Sequence, residues 1–179
     1  VATVVFSDNV GVTGFTFTAT GTNTSNDTYY QINNAGVITL TAAGAAAEAN
    51  DFETGLNSFV HNVTATDAAG NSDTADITLT VTNVNEPPVI TSDGGAATAN
   101  LNAAENQTAV TDVNATDPDS GAVLSYSITG GADSALFSIV AGTGVLTFNA
   151  APNFESPTDA NLDGIYEVAV TVADGLGGS

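Results

Sequence analysis

Asp, Asn and Glu recur in this sequence in short groups whose spacing suits the binding of a divalent cation. Asp117-Pro118-Asp119 is a D-x-D group, Asp51-Phe52-Glu53 is a D-x-E group, and Asn83-Val84-Asn85-Glu86 precedes two prolines. Calcium prefers six to eight oxygen ligands from carboxylates, amides, carbonyls and water. Loops that carry several such side chains are therefore candidate calcium sites.

The charge of the chain makes an external cation necessary wherever these carboxylates cluster. The 179 residues include 20 acidic residues and neither Lys nor Arg, which gives a formal net charge of −20. Two like charges about 4 Å apart repel by roughly 1 kcal/mol even in water. A divalent cation would neutralise a cluster, whereas scattered acidic residues would serve only solubility.

The same composition excludes several kinds of partner and site. Nucleic acids and anionic lipid surfaces are bound through Lys and Arg, so neither is an expected partner. The absence of Cys excludes disulfides and thiolate metal sites. No apolar run approaches the ~18 residues of a transmembrane helix. The chain opens without a signal peptide, and we expect it to be an internal fragment of an exported protein.

Short segments of alternating polar and apolar residues predict an all-β fold. Phe15–Thr18, Ile77–Thr82 and Leu124–Ile128 alternate with Thr or Ser on one face, as half-buried strands do. Gly, Asn and Asp clusters separate the segments. The Ala-rich segment from Thr41 to Asn50 is predicted to be a loop with at most one short helix. Many short strands with frequent turn signals indicate a β-sandwich.

The sequence also repeats itself at a nearly constant distance of about 105 residues, which is the size of a seven-stranded sandwich. The matching pairs are Ser7-Asp8 with Thr116-Asp117, Gly36–Leu40 with Gly144–Phe148, Asp51–Glu53 with Asn153–Glu155, and Phe59–Asp67 with Tyr166–Asp174.

Two prolines, Pro87 and Pro88, mark the predicted boundary, because they end a strand and stiffen a connection. The domains predicted from this boundary are residues 1–86 and 87–179. We expect the first to lack the opening strand that Leu101–Thr108 represents in the second. We expect the second to lack the closing strand that Asp76–Asn83 represents in the first.

Together these motifs resemble, over essentially the whole chain, the cadherin-like tandem repeats of large secreted bacterial adhesins of the RTX type. In that family a D-x-N-[DE] linker is followed by Pro, as at 83–88, and a P-E-N element opens a domain, as Ala104-Glu105-Asn106 does here with Ala for Pro. The D-x-D and D-x-E groups also occur in the family's order. An element related to the family's A-x-D-x-G occurs twice, as Ala65-Thr66-Asp67 with Gly70 and as Val172-Ala173-Asp174 with Gly175. The resemblance implies two tandem Ig-like, cadherin-like Greek-key β-sandwich domains.

The resemblance to this family further implies calcium at the junction of the domains, with ligands from the first domain, the linker and the second domain. These ligands are Asp51 and Glu53; Asn83, Asn85 and Glu86; and Asp117, Asp119 and Asp174. Asn83 replaces the first acid of the family's linker, and Pro replaces a later Asn. We therefore expect one or two ions rather than three. An upstream site built on Asp8 and Asp67 should be weaker, because Val10 stands where the second domain has Asp119.

A second calcium candidate lies within the second domain. Asp159, Asn161 and Asp163 with Gly164 form D-x-N-x-D-G, the first half of an EF-hand loop. Glu167 follows Asp159 by eight positions rather than eleven, so a complete EF-hand is not expected. A turn stabilised by Asp and Asn side chains is the alternative.

The favoured function is that of extracellular, cell-surface repeats that extend an adhesin from a bacterium, in adhesion or biofilm, and that calcium makes rigid. Neighbouring repeats, and cell-surface glycans or like proteins, are the expected partners. The alternatives are a filament subunit joined by β-strand complementation and a polysaccharide-binding module. An enzyme is not expected, because no catalytic constellation or aromatic-lined cleft is evident. His61, the one histidine, shares a face with Phe59 and Val63 and is predicted to be structural.

Overall fold

The computed structural model describes residues 2–8 and 11–177, and these form two compact units, Val1–Val84 and Asn85–Ser179. The upstream calcium site was predicted to be weaker because Val10 replaces an aspartate, and Val10 lies outside the described residues. Within the described ranges, no helix has the length and apolar character needed to cross a membrane.

Among its described residues, the first unit contains six strands that form two antiparallel sheets. One sheet has the order β1-β4-β3 and the other the order β2-β5-β6. The elements are β1 (Ala2–Thr3), β2 (Val12–Phe17), β3 (Tyr30–Ile32), β4 (Val37–Leu40), a one-turn helix α1 (Ala42–Ala45), a 3₁₀ turn (Glu48–Asn50), β5 (Ser58–Asp67) and β6 (Ser72–Thr80).

The alternating residues of these strands form the core of the first unit. Phe15 and Phe17 on β2 and Val63 on β5 pack with Ile32 and Ile38 from the other sheet, and all five are buried. Burying side chains from both sheets in one cluster is the arrangement of a β-sandwich. The predicted fold class is therefore confirmed.

His61 lies in this core, as the alternation predicted. It is 9% exposed, and its ring makes edge contacts with Phe17 and Tyr30 at centroid distances of 5.4 and 4.9 Å. Its Nε2 atom lies 3.8 Å from a carboxylate oxygen of Asp27. The residue therefore has a structural place between the two sheets.

The second unit, as far as residue 177, contains seven strands in three small antiparallel groups, β11-β12-β8, β10-β13 and β7-β9. Its elements are β7 (Val89–Ile90), a 3₁₀ turn (Ser92–Gly94), β8 (Ala109–Asp112), β9 (Ala115–Thr116), β10 (Ser125–Gly130), a 3₁₀ turn (Ser134–Leu136), β11 (Phe137–Ile139), β12 (Val145–Phe148) and β13 (Ala169–Ala173). The core residues are Val113, Tyr126, Phe137, Leu146, Phe148 and Val172.

The opening strand predicted at Leu101–Thr108 is wrong. The structure has no strand over these residues, and β7, at Val89–Ile90, opens the unit instead. The segment is attached by isolated hydrogen bonds: the Asn106 N–H donates to the Pro152 carbonyl at 2.9 Å, and the Phe148 N–H donates to the Thr108 carbonyl at 2.7 Å. A left-handed turn at Asn106, with φ of 62°, interrupts any longer ladder.

Matching turns in the two units explain the strongest sequence match, Gly36–Leu40 with Gly144–Phe148. Gly36 and Gly144 have φ of 74° and 75°. A Cβ on either would collide with the carbonyl oxygen of Val4 or Val113, respectively. The Val4 N–H in turn donates to the Gly36 carbonyl, and the Val113 N–H donates to the Gly144 carbonyl, each at 2.9 Å. Only glycine combines this conformation with so close an approach of another backbone.

Candidate metal centre

Two acidic loops meet at one end of the second unit. Asp117 and Asp119 follow β9, and Asp174 follows β13. The Asp119 N–H donates to Asp117 Oδ1 at 2.8 Å, which folds the D-x-D group into a tight turn. The side chains of Asp119 and Asp174 are 5% and 1% exposed. Both predicted ligands are therefore buried carboxylates.

The linker residues Asn85 and Glu86 join this end of the second unit. The Asn85 Nδ2 group donates to Asp174 Oδ2 at 2.7 Å, and the Glu86 N–H donates to Asp119 Oδ2 at 2.9 Å. One carboxylate oxygen of Glu86 lies within 4.8 Å of one from Asp119. These contacts explain why the second unit begins at Asn85, two residues before the predicted boundary.

Backbone groups stabilise this cluster only in part. Asp174 Oδ1 accepts N–H groups from Leu176 and Gly177 at 2.7 and 3.0 Å. Asp117 Oδ2, by contrast, is a buried oxygen that has no hydrogen-bond partner among the described residues. A buried carboxylate oxygen without a donor is costly, and the chain has no Lys or Arg to supply one. The oxygen atoms of this cluster are of the kind that calcium prefers.

The other three predicted ligands, Asp51, Glu53 and Asn83, belong to the first unit. Asp51 Oδ1 accepts the Glu53 N–H at 3.0 Å in a tight turn, and Glu53 is half-buried. Asn83 is exposed, three residues beyond β6. That these residues complete the ligand set of the second unit stays a prediction.

Asp67 of the predicted upstream site stabilises the turn between β5 and β6. Its Oδ1 accepts the N–H groups of Ala69 and Asn71, each at 2.8 Å, and its Oδ2 accepts the Asn71 side-chain amide at 2.8 Å. These bonds favour the ionised carboxyl, and the side-chain bond from Asn71 is the largest cause that lowers the pKa of Asp67 below its ordinary value.

We predict that Asp67 titrates at a lower pH than an ordinary aspartate and that Asn71→Ala raises its pKa. Because the folded pKa is depressed, Asp67 stabilises the fold above the unfolded pKa, and this contribution is lost as the pH falls through the folded value. Carboxyl carbon NMR shifts across an acid titration measure both effects. Asn33→Ala, in the turn between β3 and β4, is the control and should leave Asp67 unchanged.

The predicted D-x-N-x-D-G loop forms a turn closed by its own side chains. Asp159 is 2% exposed, its Oδ2 accepts the Asp163 N–H at 2.9 Å, and its Oδ1 accepts the Gly164 N–H at 3.2 Å. The Asn161 side-chain amide donates to Asp163 Oδ2 at 2.9 Å. These hydrogen bonds form a turn of the Asx type, as in the alternative interpretation. That Asp159, Asn161 and Asp163 bind an ion stays a prediction.

Asp133 is a buried acidic residue that the sequence analysis missed. It is 4% exposed, and its two oxygens accept the N–H groups of Ala160 and Glu167 at 2.6 and 2.8 Å. The Asp133 N–H donates to the Glu167 carbonyl at 3.0 Å. Asp133 thus fixes both ends of the loop around Asp159. It lies in a Gly-Gly-Ala-Asp-Ser turn without a recognisable motif, so only its acidic character in a Gly-rich segment could have indicated it.

No protein-family model matches the sequence, and the comparison with curated proteins found no match. Solved structures do match. The chain is similar to Drosophila N-cadherin EC1-4, at 17% identity and a TM-score of 0.62, over 94% of this chain and 38% of that one. It is also similar to mouse Cadherin-23 EC22-24, at 18% identity and a TM-score of 0.49, over 80% of this chain and 44% of that one. The chain thus spans less than half the length of either. The N-cadherin likeness, together with the two β-sandwich units, shows that this chain has a cadherin-like fold.

Proposed function

We propose that the chain consists of extracellular adhesion repeats of a bacterial surface protein that bind calcium and act as an extender. Cadherin extracellular domains are the structures that it resembles in fold. The observation that carries the proposal is the buried Asp117 Oδ2, which lacks a hydrogen-bond partner within the described residues, in a loop whose next acid, Asp119, is itself buried.

The residues of the second unit fit calcium by charge and by ligand type. Glu86, Asp117, Asp119 and Asp174 would supply carboxylate oxygens, and Asn85 an amide oxygen. The first unit would add Asp51, Glu53 and Asn83. The ion would supply the positive charge that four carboxylates need and that Lys or Arg supplies in other proteins.

In this proposal the ligands come from both units and their linker, and the bound ion would make the chain stiff. Without calcium, carboxylates of like charge repel, and the repulsion resists holding them together. With calcium bound, separation of the ligands would break metal–oxygen bonds. Extracellular modules bind calcium at about 10⁻⁴–10⁻³ M, so such repeats would be loaded outside cells and empty in the cytosol.

Isothermal titration of the whole chain with calcium tests this proposal. We expect one or two ions to bind in the range of about 10⁻⁴–10⁻³ M, and we expect Asp117→Asn to weaken that binding by at least about tenfold, since it removes a charged ligand. Asp112→Asn is the matched control, because Asp112 is an exposed aspartate of the same unit. Equal binding by both variants would remove Asp117 from the site. If the unaltered chain binds no calcium, the calcium role is refuted. The alternatives would then be a filament subunit joined by β-strand complementation and a polysaccharide-binding module.

A further inference from the structure

Asn57 directly precedes β5 and holds the turn that contains two of the proposed calcium ligands, Asp51 and Glu53. Its side-chain Nδ2 group donates to the Phe52 carbonyl at 3.0 Å. This carbonyl belongs to the peptide group that joins Phe52 to Glu53, so the bond ties the ligand turn to the start of β5. Within the turn, Asp51 Oδ1 accepts the Glu53 N–H at 3.0 Å. The bond from Asn57 therefore sets where the turn lies relative to the sheet.

The main chain of Asn57 also holds the segment that leads to the third proposed ligand of the first unit, Asn83. The Asn57 carbonyl accepts the Val81 N–H at 3.1 Å, one residue beyond the end of β6. This bond continues the β5–β6 ladder past the pair of Ser58 with Thr80. Asn83 follows Val81 by two residues. One residue thus joins both segments that carry the proposed ligands of the first unit.

The side-chain oxygen of Asn57, by contrast, is not paired. Asn57 Oδ1 is buried and has no hydrogen-bond partner among the described residues. A buried acceptor without a donor costs a free energy comparable to what a hydrogen bond contributes. The bond from Nδ2 and the cost at Oδ1 therefore roughly offset each other, and Asn57 adds little to the stability of the calcium-free unit. A buried side-chain amide that serves the fold alone normally has both of its ends paired.

From these contacts we infer that Asn57 is a positioning residue of the calcium site, which holds Asp51 and Glu53 in place relative to the segment that leads to Asn83. This inference rests on the proposed calcium function. Asn57 acts through the ligands and does not itself bind the ion. Residues that orient metal ligands through hydrogen bonds typically contribute about 10–100-fold to metal affinity, because a ligand already in place loses less freedom on binding.

Calorimetric titration of the whole chain with calcium, together with melting scans in chelator, tests this inference. We expect Asn57→Ala to weaken calcium binding by about tenfold, while its melting temperature in chelator stays within about 4 °C of that of the unaltered chain. Asn62→Ala is the matched control, because Asn62 lies on β5 and its side-chain amide donates to Asp76 Oδ1 at 2.8 Å, away from the proposed ligands. The control should bind calcium normally.

A second variant separates positioning from direct ligation. Asn57→Asp keeps a side-chain oxygen but loses the group that donates to the Phe52 carbonyl. We expect it to weaken calcium binding as much as Asn57→Ala does. Tighter binding by Asn57→Asp would show that this side chain is a ligand, and the positioning role would be overturned.

The results also distinguish this inference from the proposed function. If Asn57→Ala binds calcium as well as Asn62→Ala does while Asp117→Asn binds it more weakly, the calcium function stands and the role of Asn57 is overturned. If the unaltered chain binds no calcium, both are overturned. If Asn57→Ala melts more than about 4 °C lower in chelator, Asn57 serves the stability of the fold, and the positioning role is likewise overturned.

Discussion

Calcium is expected to raise the melting temperature of the second unit by about 6–20 °C at about 10 mM. With a dissociation constant of about 10⁻⁴–10⁻³ M, this concentration is about 10 to 100 times the constant, and binding to the folded state alone stabilises by about 1.4–2.7 kcal/mol. One kcal/mol shifts the midpoint of a domain of this size by about 4–8 °C. Calorimetric scans with calcium and with chelator measure the shift.

The same scans separate a specific site from general screening of charge. Magnesium demands a smaller and more regular set of ligands, so it should stabilise much less than calcium at equal concentration. A tenfold loss of affinity in Asp117→Asn should remove about 1.0–1.3 kcal/mol of the calcium-dependent stabilisation, which is about half of it or more, whereas Asp112→Asn should retain all of it. A melting curve that calcium leaves unchanged, or shifts no more than magnesium does, would contradict the proposed site.

The second large effect is expected at Asp133, whose replacement by Ala should destabilise the second unit by about 2–4 kcal/mol. The change leaves the N–H groups of Ala160 and Glu167 without their acceptor, and the loss of each part-buried hydrogen bond to a charged acceptor costs about 1.5–3 kcal/mol. Removal of a buried charge offsets part of this loss. Urea unfolding of the variant, followed by the signal of the second unit, measures the change.

Calcium dependence makes this experiment informative about the loop that contains Asp159. If that loop is a turn held by hydrogen bonds, Asp133→Ala should cost as much in chelator as in calcium. If the loop binds an ion, the cost should be larger in calcium, and Asp159→Asn should remove the difference. Asp112→Ala is the control for removal of an acidic side chain. Stability equal to that of the unaltered chain would contradict the role assigned to Asp133.

The sandwich fold was predictable because alternation fixes which side chains face inward. Phe15 and Phe17 alternate with Thr, and the structure buries both. The strand predicted at residues 101–108 does not form. The positive φ of Asn106 prevents continuous pairing there, and neither composition nor alternation indicates such a turn.

The acidic motifs were predictable as groups, but their hydrogen bonds were not. D-x-D spacing indicated Asp117 and Asp119, and the turn between them follows from the short spacing. Asp133 carries no motif, because its role depends on N–H groups 27 and 34 residues away. Contacts so distant in sequence are set by the packing of the whole unit rather than by local pattern.

The paired glycine turns at Gly36 and Gly144 have an evolutionary consequence. Any substitution at either position meets both an unfavourable backbone conformation and the carbonyl oxygen of the residue that follows β1 or β8, which is Val4 or Val113. Selection should therefore hold glycine in place in every copy of the repeat, while the exposed residues beside it drift. Among homologues, these glycines should be conserved positions that allow copies of the repeat to be aligned even where their acidic loops have diverged.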